Sequence, residues 1–201
     1  MADPVTGEAL RILNVLLTAE KVETALYAAG LQSGVLAGIS ADDLTYFQAA
    51  TSEEFVHARL LEALGASMPV NNFFFPPGIF TNRTMFLNLI EQLETNGIGA
   101  YSAAIFRFAS DLMRPDLALL AARILGVEAE HRVLARVVND KNPPDDRCIE
   151  AVPTLNFDQI AASFLPFLMP NQFNGQSVGP IPFPDAATVD RLVAPNACKA
   201  V

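Results

Sequence analysis

Glu53-Glu54-Phe55-Val56-His57 and Val127-Glu128-Ala129-Glu130-His131 hold the only two histidines of the chain, each three residues after a glutamate. One offset of 74 positions carries Glu54 to Glu128 and His57 to His131. The same offset carries Glu20 to Glu94 and Tyr27 to Tyr101. A lone E-x-x-H is a weak signal, because Glu and His at i, i+3 is a common solvated arrangement on any helix. Four carboxylates, two imidazoles and two phenols repeating in register describe a duplicated helix pair.

Outward from these residues, four long helical segments are expected. The first runs from about Thr6 to Ala29 and ends at Gly30, with Leu10, Leu13, Leu16, Leu17 and Leu26 at helical spacing. Asp42 and Asp43 open the second, which runs to Leu64 and stops at Gly65. The third spans about Asn82 to Leu112. The fourth begins near Pro115, a favoured first-turn residue, and reaches Val138. Helices one and two, and three and four, are joined by short connections and so form antiparallel hairpins.

Between the hairpins lies Gly65 to Thr81, broken by Pro69, Pro76, Pro77 and Gly78. Fully extended, this linker reaches roughly 55 Å, whereas a bundle helix of about 24 residues spans roughly 36 Å. It can therefore cross the whole bundle and relate the hairpins by a pseudo-two-fold axis. Phe73-Phe74-Phe75 in this linker is expected to pack on the bundle. The fold class expected is all-α: a four-helix bundle over 1–139 with a long crossover between helices two and three, plus an irregular extension over 140–201. That extension starts at Lys141-Asn142-Pro143-Pro144 and holds a short apolar helix within Phe157 to Met169. Pro-, Asn- and Gly-rich coil follows, with Phe173 and Phe183 as anchors, and the whole is read as a strap on the bundle or on a partner subunit.

Residues three apart on a helix share a face, so each Glu-x-x-His pair can point inward together. One Glu from each of two helices and a Glu-x-x-His from each of the others is the ligand set of dimetal helical bundles. The chain supplies it in order: Glu20, then Glu54/His57, then Glu94, then Glu128/His131. Four carboxylates neutralise two divalent ions, which makes burial tolerable. Mixed imidazole and carboxylate ligation suits two Fe or two Mn ions, with Zn also compatible. Glu23 and Glu91 lie nearby, but the offset maps them to Gly97 and Leu17, so the repeat selects Glu20 and Glu94. Glu53 and Glu130 sit one residue away from the selected positions, about 100° around the helix, and are expected in solvent or behind the ligands. Tyr27 and Tyr101 lie seven residues after Glu20 and Glu94, where a phenol can hydrogen-bond a ligand carboxylate or supply an electron.

The bulk composition narrows the function classes. A net charge of −9 repels phosphate backbones, so no nucleic-acid partner is expected, while an acidic surface concentrates cations. The hydrophobic fraction is 51% with only 17% charged residues, yet no apolar run approaches the roughly 18–20 residues of a membrane span. The excess apolar content fits a large core and a covered oligomer or tail surface, hence a homo-oligomer. Cys148 and Cys198 match no metal motif. Joined, they would close a loop worth roughly 4 kcal/mol on the chain-entropy account, which leans towards an extracytoplasmic setting, periplasmic or secreted. Met1-Ala2-Asp3-Pro4 has no basic or apolar leader character, so a leader would be absent from or trimmed off this sequence.

At these residues the chain resembles the ferritin-like superfamily, and most closely the branch of ferritin-like domain proteins grouped with plant desiccation-related proteins. Ile12-Leu13-Asn14 leading into Glu20, Glu53-Glu54-Phe55-Val56-His57 before Leu64-Gly65, Glu94-Thr95-Asn96-Gly97-Ile98-Gly99-Ala100-Tyr101, and Ala121-Ala122-Arg123-Ile124-Leu125-Gly126-Val127-Glu128-Ala129-Glu130-His131 carry the likeness, which covers roughly residues 8–139. Such relatives include ferritins and bacterioferritins, which oxidise Fe(II), manganese catalases and diiron oxygenases. Bacterial members of the nearest branch often look exported, in line with the cysteines. The Pro-rich extension is unlike the short fifth helix of cage-forming ferritins, so a storage shell is not expected, and no haem-ligating methionine is identified.

The expected function is a dimetal oxidoreductase acting on dioxygen or peroxide in stress protection. Glu54 and Glu128 would bridge the ions, His57 and His131 would cap one each, and Glu20 and Glu94 would be terminal ligands. Iron would favour ferroxidase or oxidase chemistry, and manganese peroxide disproportionation. The alternative is a non-enzymatic, metal-stabilised stress protein.

Overall fold

The computed structural model describes residues 5–193. Four long helices form its body: α1 (Gly7–Ser33), α2 (Ala41–Ala63), α3 (Arg83–Phe106) and α4 (Pro115–Val138). α1 packs on α2 and α3 on α4, with further contacts of α1 with α3 and α2 with α4. The ends follow local chemistry. Ser40 Oγ accepts from the Asp43 amide at 3.0 Å, and the Asn82 side chain accepts from the Met85 amide at 3.1 Å. Each satisfies a donor that the first turn leaves free. α4 opens on Pro115 and closes at Val138, as its sequence indicates. A π-helical turn over Arg107–Asp111 ends the third helical segment.

α1 departs from expectation. It runs through Gly30 and ends at Gly34, whose φ of 77° is the left-handed conformation that glycine adopts without steric cost. Gly30 serves packing instead: a Cβ there would lie 2.2 Å from Cζ of the fully buried Phe86. Gly30→Ala is therefore expected to destabilise the fold. Alanine gains ~1 kcal/mol of helix preference, but overpacking a filled core costs about 1–3 kcal/mol. Thermal melting checks the sign, and a raised melting temperature would mean that the Phe86 ring yields easily.

The crossover between the hairpins holds β1 (Asn72–Phe75), in which Phe73 and Phe75 alternate into the core while Phe74 is half-buried. The extension is more ordered than its composition suggests. It forms α5 (Phe157–Phe164), a 3-10 turn (Leu165–Phe167), β2 (Val178–Pro182) and α6 (Ala186–Leu192). β2 pairs antiparallel with β1, Phe73 opposite Ile181 and Phe75 opposite Val178. α5 packs on α1 and α3, and α6 on α2 and α1. Phe183 stacks on Phe55 at 5.7 Å, and Lys21 lies 5.0 Å over its ring while bonding Glu62 and Asn71. The segment after α4 is tied back by Arg132, fully buried, to Asp146 and Glu150.

No described helix is long and apolar enough to cross a membrane. Cys148 is exposed and carries no disulfide among the described residues. Its expected partner, Cys198, lies outside them.

Candidate metal centre

The four bundle helices each direct a glutamate into one buried cluster. Glu20, Glu54, Glu94 and Glu128 are wholly buried, and His57 and His131 nearly so. Two groups of residues each bring potential ligand atoms within 4.8 Å of one another: Glu20, Glu54, His57 and Glu128 in the first, and Glu54, Glu94, Glu128 and His131 in the second. Glu54 and Glu128 belong to both. His57 Nδ1 stands 3.3 Å from Glu20, 3.5 Å from Glu128 and 3.8 Å from Glu54. His131 Nδ1 stands 2.5 Å from Glu54 and 3.8 Å from Glu94. All six sequence-selected residues thus meet, as the repeat in sequence becomes a repeat in space.

The tyrosines also reach the cluster, but across the bundle. Tyr27 donates to Glu94 at 2.7 Å, and Tyr101 donates to Glu20. Each phenol serves the glutamate of the other hairpin rather than that of its own helix. Burial, reinforced by the facing carboxylates, raises both phenols well above their usual pKa and holds their protons in place.

The neighbouring acids divide sharply. Glu53 Oε2 binds His131 Nε2 at 2.9 Å, so this ring is oriented from behind by a carboxylate, the usual support of a metal-bound histidine. Glu130 is exposed, and Glu91 is engaged by Arg136 and Lys141. Glu23 is buried beside the cluster, outside both ligand groups, although its repeat counterpart is a glycine, and it is 1% exposed. Its position three residues after Glu20 was the available signal, since that spacing shares a helix face.

The cluster is electrostatically unfinished. Among the buried side-chain atoms without a hydrogen-bond partner are both oxygens of Glu54 and of Glu128, one oxygen each of Glu20 and Glu94, and Nδ1 of both histidines. Such atoms are costly to bury unless a cation engages them. This donor set fits a pair of metal ions. Burial and mutual repulsion push Glu54 and Glu94 well above the usual carboxylate range, and Glu128 above it. Burial also opposes ionisation of Glu20, but His57 outweighs it and the net shift is downward. Burial opposes the charge on His57 and His131 too, and the surrounding carboxylates reverse this, raising both.

These shifts give the metal-free protein a defined pH dependence. Raised carboxyls are bound neutral in the fold, so their contribution is favourable below the unfolded value near 4.5 and is lost as pH rises towards the folded values. Raised histidines contribute stability that is full below about 6.5 and lost as pH rises through their folded values. Glu20 acts oppositely, losing its contribution as pH falls below about 4.5. The melting temperature of metal-free protein is therefore expected to peak near pH 5 and to fall towards pH 8. A flat profile over that range would mean that the cluster is not ionised as described.

Among known protein families, a model described as a ferritin-like domain matches residues 8–140. Curated proteins and solved structures gave no significant match.

Proposed function

This chain belongs to the ferritin-like domain family, and we propose from that premise that it is a dimetal-carboxylate oxidoreductase acting on dioxygen or peroxide in stress protection. The observation that carries the reading is the sharing of Glu54 and Glu128 between two ligand groups that otherwise differ. In this reading Glu54 and Glu128 would serve both ions, with His57 and Glu20 completing the ligands of one and His131 and Glu94 those of the other. Iron or manganese in these positions would supply the electrons for reduction of dioxygen or the cycling of peroxide.

The protein's own part is binding, orientation and proton control. Glu53 fixes the His131 ring so that Nδ1 faces the cluster. Tyr27 and Tyr101 each hold one terminal carboxylate by its outer oxygen, which leaves the second oxygen of Glu94 and of Glu20 free for a metal. A cleft of about 460 Å³, lined by Tyr46, Ala49, Glu53, Glu130, His131 and Val137, reaches the Glu53–His131 pair from solvent. A small oxidant or an incoming cation could approach His131 through it.

The competing reading is a metal-stabilised structural protein. The complete burial of the four glutamates favours it, because ions that neutralise buried carboxylates stabilise the fold itself. Anaerobic loading with Fe(II) or Mn(II), followed by dioxygen or peroxide, separates the two. The enzyme reading requires Fe(II) oxidation or peroxide consumption well above that of the metal-free protein. Tight metal binding with no turnover would leave the structural reading standing.

A further inference from the structure

The cluster is built by a repeat, yet its two halves are unequal at the centre. Glu23 lies one helical turn beyond Glu20 on the same face, and the corresponding residue of the other half is Gly97. The two positions confront one another. A Cβ placed on Gly97 would stand 3.6 Å from Glu23 Oε1 and only 2.6 Å from Glu128 Oε2. Gly97 therefore leaves the room that Glu23 and Glu128 share, and any side chain in the mirror position would displace the Glu128 carboxylate. Both Glu23 oxygens are buried and neither has a hydrogen-bond partner. Buried without a partner and facing Glu128, an ionised carboxylate in this place is costly unless a cation engages it.

We propose that Glu23 is a seventh metal ligand, contributed by one half of the repeat only, and that it makes the two metal positions unequal. The inference rests on the dimetal reading above. With Glu23 beside it, the cluster's four buried carboxylates, Glu20, Glu54, Glu94 and Glu128, become five. That charge matches one divalent and one trivalent ion, where four would match two divalent ions. The inequality is reinforced behind the histidines: Glu53 backs His131, whereas the residue at the equivalent place behind the other half is Val127.

Anaerobic titration of the full chain with Co(II), followed by calorimetry and by the visible ligand-field spectrum, tests this without any turnover assay. Wild type is expected to bind in two resolved steps with different spectra. Glu23→Gln keeps the shape and the hydrogen-bonding capacity but removes the ligand charge. It is expected to weaken one step by ~10-fold or more, the least that loss of a ligand should cost when loss of a supporting group costs that much. The spectrum of that step should change and the other step should persist. Should Glu23→Gln fail to fold by circular dichroism, Glu23→Met, of similar volume and without a buried polar group, carries the same expectation. Two indistinguishable wild-type steps, or a variant matching wild type in both, would overturn the role of Glu23 and leave the dimetal reading intact. No Co(II) binding by wild type would overturn the dimetal reading itself, and Glu23 with it.

Discussion

Replacing Glu54 and Glu128 together by alanine is expected to abolish metal uptake while leaving a folded bundle. Protein loaded anaerobically with Fe(II) or Mn(II) should drop from about two ions per chain, the content of the dimetal bundle pattern, to a level indistinguishable from the buffer. The reason is that each of the two ligand groups contains both residues. Their loss strips each group to one carboxylate and one imidazole, Glu20 with His57 and Glu94 with His131. It also removes two of the negative charges that make burial of the ions tolerable. The metal-free fold should survive, because burial and mutual repulsion already disfavour the ionised forms of Glu54 and Glu128. Relief of that repulsion offsets part of the cavity left by truncation. Elemental analysis with circular dichroism on one sample reads both halves of the expectation. Retention of about two ions by a folded double variant would place the metal elsewhere and end the reading of this cluster as the site.

Metal loading should raise the melting temperature by about 5–15 °C, and by more at pH 8 than at pH 5. A ligand present at 100 to 1,000 times its dissociation constant stabilises the folded state by about 2.7–4.1 kcal/mol. For a chain of this size each kcal/mol moves the melting temperature by about 2–4 °C. The pH dependence follows from the raised pKa values of Glu54, Glu94, Glu128, His57 and His131. Below these values protons occupy the atoms a metal needs and already relieve the repulsion. Above them the cluster is most destabilising when metal-free, and the ions gain most by neutralising it. A shift of the same size at both pH values would mean that ions bind without displacing protons from this cluster.

Much of this architecture can be read along the chain. The limits of α4 follow from Pro115 and from the break after Val138, and the end of α2 from Gly65, because capping and proline effects act within one or two turns. Other elements could not be read this way. Gly30 looks like a helix stop, but the space beside it is filled by Phe86, distant in sequence and buried against α1. The β1–β2 ribbon joins the crossover to the C-terminal extension, and neither strand has a local partner that its sequence could announce.

The candidate site divides along the same line. Glu20, Glu54, His57, Glu94, Glu128 and His131 were identifiable from sequence alone, because helical geometry puts i and i+3 on one face and a duplicated unit repeats that geometry at a constant offset. Only tertiary structure decided that Tyr27 serves Glu94 and Tyr101 serves Glu20, that Glu53 orients His131, and that Glu23 occupies the space opposite Gly97. The hydrogen-bond ladder of a helix sets which residues share a face. Which faces meet, and what fills the room between them, depends on side-chain volumes on separate helices, and no spacing within one helix records those.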